Sequence, residues 1–382
     1  LRSELEHKGY ELRQTHTLTA LDDFEYLIVF DIFPEQIHLY AQYPKEKLIL
    51  LLWEPPSVLI NSYNPAYHQY FSKIYTWNDD LVDNKKYFKL YHPALGQMIE
   101  NRPSFDEKKL CTLICCNKRS PHPQELYTER LNLITFFETR HSQDFDLYGK
   151  WWPDTCKVYK GEVDRKVDYL KLYKFAFAYE NVKGVPGYVT EKIFDCFHAG
   201  CVPVYLGAPN VAQYIPKNCY IAREDFENDE TLYQFLKNMN ASDYQQYLDN
   251  IQSFLKSSEA KIHSKEHFVA TIMSNVFTES TMEQASLYAQ IKDLNNPTHD
   301  DYRLIQQYLA TGRRDDISAL KDYNYEYVSR TFKIIGDDKD ALPRYESIPV
   351  NCSDSDRENC VLIYASFNRN YPKGLQRLAN CI

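Results

Sequence analysis

Glu191 and Lys192 stand side by side in the stretch GYVTEKIFDCFHAGCVPVYLGAPN, which runs from Gly187 to Asn210. Thr190, a helix-capping residue type, comes before them, and an apolar periodic segment follows. This pattern predicts a helix whose first turn carries both charges. The free N–H groups and the dipole at such a terminus attract anions, and a lysine adds a formal charge for a phosphate. A carboxylate in the same turn can accept hydrogen bonds from sugar hydroxyls.

The same pair has a simpler interpretation, which is an exposed Glu-Lys pair on an ordinary helix surface. Ile193, Phe194 and Phe197 would form the buried face of that helix. Gly200 stands where a C-terminal capping glycine belongs. The chemistry of the pair therefore depends on the elements that position it.

Apolar runs of strand length alternate with helical patterns along the chain. The runs are YLIVFDIF, KLILLLW, KIYTW, LCTLICC, FDLYG, FAFAYEN and VPVYLG. Continuous rather than alternating apolar runs indicate parallel strands that are covered on both faces, and the helical stretches between them supply the crossovers. The sequence therefore predicts an α/β fold with two Rossmann-like domains, in which ligands lie at the carboxyl ends of the strands.

A polar segment at residues 96–109, GQMIENRPSFDEKK, separates the first three apolar runs from the others and is typical of a linker. We expect residues 1–100 to form an N-terminal Rossmann-like domain that lacks its first strand, and residues 101–280 to form a second one. The pattern of residues 281–382 predicts a mostly helical or irregular extension. Its last segment predicts one strand and one helix, which we interpret as the start of a further domain, because one βα unit cannot bury its own apolar face.

The charge and hydropathy of the chain exclude two classes of partner. The net charge is −9 and the isoelectric point is about 5.7, without a basic stripe, which argues against general nucleic-acid binding. The strongest apolar run, LILLLW, is far shorter than the roughly 18 residues that a membrane span needs. We therefore expect neither a nucleic-acid partner nor a membrane span in this chain.

Cysteines and paired aspartates invite two further interpretations. The ten cysteines include no CxxC motif, so we interpret them as reduced core thiols, with Cys352 and Cys360 as the candidate pair if a disulfide forms. D-x-D triplets occur at residues 144–146 and 354–356, and paired carboxylates can bind divalent cations. The first is at the start of a strand and the second is in a charged loop, so we interpret both as chance matches and predict no metal site.

The block from Phe175 to Asn210 resembles the donor-binding signature of the α1,3/4-fucosyltransferases. That signature runs F-x-F-E-N, then G-Y-V/I-T-E-K, then V-P-V-x-x-G-x-P. The matching positions in this chain are Tyr179–Asn181, Tyr188–Lys192, and Val202–Val204 with Gly207 and Pro209.

The resemblance extends more loosely towards the N-terminus. The segment LLLWEPPS resembles the family segment F-E-S-P, and Glu54 falls on the glutamate regarded as the catalytic base. Further along, Asn117 falls on the family asparagine and Arg130 on the arginine that contacts the donor diphosphate. The chain departs from the family pattern at Cys116, where serine is usual, and in the longer spacing from Asn117 to Arg130.

The resemblance implies the two-domain GT-B arrangement, with an acceptor-binding N-terminal half and a nucleotide-binding C-terminal half. It implies inverting transfer of L-fucose from GDP-β-L-fucose to an oligosaccharide or glycoconjugate acceptor, commonly at O3 of N-acetylglucosamine. GDP-fucose is then a co-substrate, and no further cofactor is required. Glu54 would be the catalytic base. The donor would be bound by Asn117, Arg130, Asn181, Tyr188, Val189, Thr190, Glu191 and Lys192.

Two other functions stay open at this point. The chain could be a GT-B enzyme that uses another nucleotide sugar, or a non-catalytic glycan- or nucleotide-binding module of a larger protein. The presence of both Glu54 and Lys192 counts against the module, because a binding domain needs no base. For the compartment we expect the cytoplasm, with the Golgi lumen as the alternative if an N-terminal anchor has been removed.

Overall fold

The computed structural model describes residues 11–15, 24–276 and 360–365. The strands are β1 (Glu11–Thr15), β2 (Tyr26–Phe30), β3 (Leu48–Leu52), β4 (Lys73–Thr76), β5 (Tyr87–Lys89), β6 (Lys109–Ile114), β7 (Phe145–Tyr148), β8 (Tyr173–Tyr179), β9 (Val202–Leu206), β10 (Ile221–Ala222) and β11 (Cys360–Ala365). The α-helices are α1 (Ile37–Tyr40), α2 (Pro65–His68), α3 (Tyr127–Arg140), α4 (Lys166–Leu170), α5 (Glu191–Ala199), α6 (Asp229–Asn238), α7 (Ala241–Leu255) and α8 (Lys265–Val276).

All seven apolar runs of the sequence form strands, namely β2, β3, β4, β6, β7, β8 and β9. Four of them, β2, β3, β7 and β9, consist entirely of buried residues, and β2 and β3 pair in parallel. β2 ends at Phe30 because Asp31 takes a left-handed backbone conformation with φ of 58°. The continuous apolar pattern thus has the predicted cause, which is burial on both faces of a parallel sheet.

The first sheet has six strands in the order β1-β11-β2-β3-β4-β5. β11 is parallel to both of its neighbours, with Leu362 opposite Leu27 in the register with β2. Two expectations are corrected here. The sequence predicts no strand before β2, but β1 precedes it, and the strand predicted near the C-terminus, β11, lies between β1 and β2 in this sheet. Both corrections have one physical reason: β1 is a polar segment whose pairing partner lies far away in the sequence.

The second sheet has five strands in the order β10-β9-β8-β6-β7, and every pair in it is parallel. Helix α3 packs on it through aromatic contacts, with the rings of Phe137 and Phe145 stacked at 4.6 Å between centroids. Together the two sheets confirm the predicted α/β class. The predicted helical extension lies outside the described residues, apart from β11.

Helix α5 has the ends that the sequence predicts. Thr190 is its N-cap, and its side chain accepts a hydrogen bond from the backbone N–H of Lys192. Gly200 ends the helix in a left-handed conformation with φ of 60°, which glycine adopts without steric cost. The predicted apolar face, formed by Ile193, Phe194 and Phe197, is fully buried.

The chain divides into two compact units. Of the described residues, the first unit contains 11–15, 24–52, 61–75, 276 and 360–365. The second unit contains Trp53–Ile60 and Thr76–Asn275. Two segments that the sequence assigns to the N-terminal domain, around Glu54 and from residue 76 to 100, therefore belong to the second unit.

Main-chain hydrogen bonds explain why the stretch up to residue 100 joins the second unit. The N–H of Leu95 donates to the carbonyl of His263 at 2.8 Å, and the N–H of Ile99 donates to the carbonyl of His198 at 2.8 Å. The linker-like composition of residues 96–109 therefore does not mark the boundary between the units.

In the described part of the chain, no helix is long and apolar enough to cross a membrane. Every cysteine whose side chain is described has a free thiol, and the candidate pair Cys352 and Cys360 lies outside those residues.

Candidate functional site

Glu54 is held in the second unit by contacts of its neighbours. The indole N–H of Trp77 donates to the carbonyl of Trp53 at 3.1 Å. The hydroxyl of Ser57 donates to the carbonyl of Asn181 at 3.0 Å, just after β8. These bonds fix the segment on both sides of Glu54 against Trp77 and against the residue that follows β8 by two positions, Asn181.

The electrostatic surroundings of Glu54 contain charges of both signs. Burial raises the pKa of its carboxyl above the usual value, Lys192 and Lys118 act in the opposite direction, and Glu191 adds to the rise. The side chain is half-buried. The structure therefore brings together the predicted base, Glu54, and the predicted donor-binding pair, Glu191 and Lys192.

Glu180 organises the start of α5. Its side chain is fully buried, and one carboxylate oxygen accepts hydrogen bonds from the backbone N–H of Thr190 at 2.8 Å and from its hydroxyl at 3.0 Å. The other oxygen lies 3.0 Å from the ammonium of Lys192. A buried carboxylate needs such partners, because an unpaired charge in the interior is costly. Glu180 therefore fixes the positions of both the N-cap residue, Thr190, and Lys192.

Glu191 is more exposed than Lys192 and has different partners. Its carboxylate lies 3.6 Å from the ammonium of Lys166 and 3.9 Å from that of Lys192, with 46% of the side chain exposed. Burial acts to raise the pKa of Glu191, but Lys192, Lys166 and His92 outweigh it and hold the pKa below its usual range. Glu191 is therefore an ionised acceptor at neutral pH, suited to hydroxyl groups.

Arg130 is buried in the fold, and part of its guanidinium group is hydrogen-bonded to the protein. Its Nη2 donates to the carbonyls of Tyr179 and Glu180, both at 2.6 Å, and to the side-chain oxygen of Asn181 at 3.0 Å. Its Nε is buried without a hydrogen-bond partner among the described residues. These bonds tie α3 to the carboxyl end of β8, so the geometry gives Arg130 a structural task.

Two predicted asparagines support loops at the same edge of the sheet. Asn117 donates from its side-chain nitrogen to the carbonyl of Trp151 at 3.2 Å and accepts from Arg119 at 2.8 Å. Asn181 accepts from Arg130, and its side-chain nitrogen lies 3.5 Å from the hydroxyl of Tyr188. Both amides are thus engaged with the protein.

Tyr188 and Val189 are buried, at 2% exposure each. The ring of Tyr188 packs against Trp77, with 4.4 Å between ring centroids. Their side chains therefore belong to the core, and the segment can contact a ligand through its backbone and through the charged residues that follow.

Three residues of this site, Glu180, Lys118 and His92, were not predicted from the sequence. Glu180 lies within the matched block, so the signal for it was present. Lys118 directly follows Asn117 in the sequence, and its ammonium lies 5.9 Å from the ring centroid of Trp151. His92 gave no sequence signal; its ring is 4.3 Å from that of Trp53, and burial lowers its pKa to about 3.

The first D-x-D triplet forms ion pairs with lysines. Asp144 lies 2.8 Å from the ammonium of Lys237, and Asp146 lies 2.8 Å from that of Lys109. Within the described ranges, no group of three or more His, Cys, Asp or Glu side chains is arranged to hold a metal ion. The second triplet lies outside the described residues.

Comparisons with known proteins give the following similarities. An α-(1,3)-fucosyltransferase of Helicobacter pylori is 28% identical over 149 residues, which cover 37% of this chain and 31% of that protein. A GDP-fucose protein O-fucosyltransferase 3 of Xenopus tropicalis is 33% identical over 107 residues, covering 27% of this chain and 21% of that protein. An α-(1,4)-fucosyltransferase of Arabidopsis thaliana is 39% identical over 70 residues, covering 18% and 17%. The chain thus spans about a third or less of the length of these relatives.

A solved structure of an α1,3-fucosyltransferase with GDP is similar to the chain with a TM-score of 0.44 and 14% identity. The match covers 69% of this chain and 94% of that one. The family model of the C-terminal part of glycosyltransferase family 10 (fucosyltransferase) matches residues 106–296, which is half of the 382-residue chain. The matched residues contain β6 to β10 and all the predicted donor-binding positions. The chain therefore belongs to glycosyltransferase family 10, the fucosyltransferases.

Proposed function

We propose that this chain transfers L-fucose from GDP-β-L-fucose to an acceptor hydroxyl, with inversion at the anomeric carbon. One observation carries the proposal: the half-buried carboxylate of Glu54 lies in the electrostatic field of Lys192, Lys118 and Glu191. A carboxylate with a raised pKa beside two ammonium groups suits a base-assisted transfer from a diphosphate donor. Membership of the fucosyltransferase family supports fucose as the transferred sugar.

In the proposed reaction, Glu54 accepts the proton of the acceptor hydroxyl as the oxygen attacks the anomeric carbon. The new bond forms on the face opposite GDP, and the bond between the anomeric carbon and the phosphate oxygen breaks. The electron pair leaves with GDP. Lys192 and the N–H groups at the start of α5 stabilise the charge that collects on the departing diphosphate.

The donor-binding roles divide by chemistry. Lys192 faces the phosphates, and Glu191 accepts hydrogen bonds from sugar hydroxyls. Lys118 is the better candidate for a second phosphate cation than Arg130, because Arg130 donates to the carbonyls of Tyr179 and Glu180. Thr190, Val189, Asn181 and Asn117 shape the loops at this edge of the sheet. With positive charge from lysines, the reaction we propose uses no metal or other cofactor.

The acceptor is the part of the proposal that rests on the relatives. Their names include α-(1,3)-, α-(1,4)- and protein O-fucosyltransferases. We propose O3 of N-acetylglucosamine in a glycan as the acceptor, in a GT-B arrangement whose N-terminal half binds it. A protein hydroxyl is the second candidate, because the Xenopus relative is named for that reaction.

The deciding experiment offers several donors and acceptors to the purified protein. Radiolabelled GDP-fucose, GDP-mannose and UDP-glucose are each incubated with N-acetyllactosamine, an N-glycan and a serine/threonine peptide, and the products are analysed for linkage. We expect fucose alone to be transferred, to O3 of N-acetylglucosamine. Transfer of another sugar would replace fucose as the substrate, and GDP binding without any transfer would favour a non-catalytic module.

A further inference from the structure

A network of polar side chains holds the turn that precedes α5. Asp79 is its centre: one carboxylate oxygen lies 2.6 Å from the ammonium of Lys89. The other oxygen accepts hydrogen bonds from the hydroxyl of Tyr214 and from the side-chain nitrogen of Asn210, the latter at 2.8 Å. Asp79 and Lys89 are mostly buried, with 27% and 16% of their side chains exposed. The pair is therefore shielded from the solvent screening that weakens surface ion pairs.

The network reaches the turn through two contacts with its backbone. The side-chain oxygen of Asn210 accepts a hydrogen bond from the N–H of Gly187 at 2.9 Å. The N–H of Asp79 donates to the carbonyl of Pro186 at 3.2 Å. Two consecutive residues of the turn are thus bonded to the network, directly before the segment Tyr188–Lys192.

The same network contacts the segment that carries Glu54. The ammonium of Lys89 donates to the carbonyl of Trp77 at 2.5 Å. The indole of Trp77 donates to the carbonyl of Trp53, and its ring packs on Tyr188. Trp77 is thus bonded to the residue before Glu54 and packed against the residue after the turn.

We propose that Asp79 is a positioning residue, which holds the Gly187 turn through Asn210 and so sets the position of Tyr188–Lys192 relative to Glu54. The inference rests on the proposed function for its catalytic consequence. Asp79 itself does not touch the donor in this account. It acts through the turn, as Lys89 does through Trp77.

Asp144 provides a matched control within the same unit. Like Asp79, it forms an ion pair with a lysine, Lys237, at 2.8 Å, and it accepts a hydrogen bond from a tyrosine hydroxyl, that of Tyr233, also at 2.8 Å. None of its side-chain partners contacts the Gly187 turn through a hydrogen bond that the structure describes. Asp144→Asn therefore removes an equivalent carboxylate and shows how the loss of such a network affects activity and GDP affinity when the Gly187 turn is not involved.

The experiment compares wild-type protein with Asp79→Asn, Tyr214→Phe and Asp144→Asn. The readouts are fucose transfer rate, GDP affinity by calorimetry, and amide hydrogen exchange of peptides that cover residues 183–192. We expect Asp79→Asn to lower kcat/KM roughly 10- to 100-fold, because small misplacements of reacting groups have effects of that size. Exchange in the turn should become faster, and Tyr214→Phe should show the same changes in weaker form. Asp144→Asn should show neither.

A double-mutant cycle tests whether Asp79 acts on the Gly187 turn through Asn210. Because Asp79 and Asn210 act in series on the turn, Asp79→Asn combined with Asn210→Ala should lower GDP affinity no further than the stronger single change. Additive losses would overturn the inference, as would unchanged exchange and GDP affinity in Asp79→Asn. If wild-type protein transfers no fucose, the proposed function fails, while exchange and GDP affinity still decide whether Asp79 holds the turn.

Discussion

The ammonium of Lys192 lies 3.0 Å from a carboxylate oxygen of Glu180, whose side chain is fully buried. About a fifth of the Lys192 side chain, 21%, is exposed. A fixed anion on one side leaves the lysine in a defined position, and its other N–H bonds can point towards a second anion. The proposed phosphate site is therefore built on an ion pair inside the protein.

Replacing Lys192 by alanine should weaken the binding of GDP and GDP-fucose. A hydrogen bond to a charged group contributes roughly 1.5–3 kcal/mol, so the dissociation constant should rise about 10- to 100-fold. Calorimetry measures the change directly. Lys109→Ala is a control, because Lys109 also pairs with a carboxylate, that of Asp146, but at the amino end of β6. Equal GDP affinity in wild type and Lys192→Ala would remove the phosphate role.

Replacing Glu180 by glutamine should destabilise the protein. The amide group cannot accept all the hydrogen bonds of the carboxylate, and Lys192 loses its buried partner. We expect unfolding free energy to fall by about 1–3 kcal/mol, measured by denaturant titration. Glu191→Gln is the control: its half-exposed carboxylate makes no bond to the cap, so stability should change little. A similar small change in both variants would contradict the structural role of Glu180.

The pH dependence of transfer should report the ionisation of Glu54. A base must be deprotonated, so the rate should rise with pH through a pKa above the usual glutamate value, because burial raises it. Lys118→Met removes a nearby positive charge and should move this limb to higher pH. Glu191→Gln removes a negative charge and should move it to lower pH. Shifts in the same direction would contradict the assignment, and His92 cannot produce the limb because its pKa is about 3.

Gly187 should not tolerate a side chain. A Cβ atom there would lie 2.3 Å from the carbonyl oxygen of Trp77 and 2.6 Å from the ammonium of Lys89, and its φ is +85°. We expect Gly187→Ala to weaken GDP binding at least tenfold, since the turn must shift. Gly161→Ala is the matched control: φ is +109°, but nothing lies within 4 Å of an added Cβ. GDP affinity that is no weaker in Gly187→Ala than in Gly161→Ala would contradict the prediction.

The local features of this fold could be read from the sequence. The apolar runs became strands, and the caps of α5, Thr190 and Gly200, follow from residue types next to each other in the chain. The pair Glu191 and Lys192 could be placed for the same reason. Such features depend on neighbours within one or two helical turns.

Features that depend on distant partners could not be read in this way. The carbonyl contacts of Arg130 come from the end of a strand about fifty residues further along the chain, so the family resemblance that suggested a donor contact could not show them. The place of β11 between β1 and β2 depends on a pairing across most of the chain. The network around Asp79 joins it to Tyr214 and Asn210, more than 130 residues away. In each case, contacts between residues far apart in the sequence determine the structure, and no local sequence pattern indicates them.

The most direct test of the account is the Glu54→Gln variant, with transfer rate and GDP-fucose affinity measured on the same protein. Glutamine keeps the size of the side chain but cannot take the proton, so we predict that kcat falls on the order of 100-fold or more while donor affinity stays nearly unchanged. Turnover close to that of the wild type would show that Glu54 is not the base and would contradict the central claim.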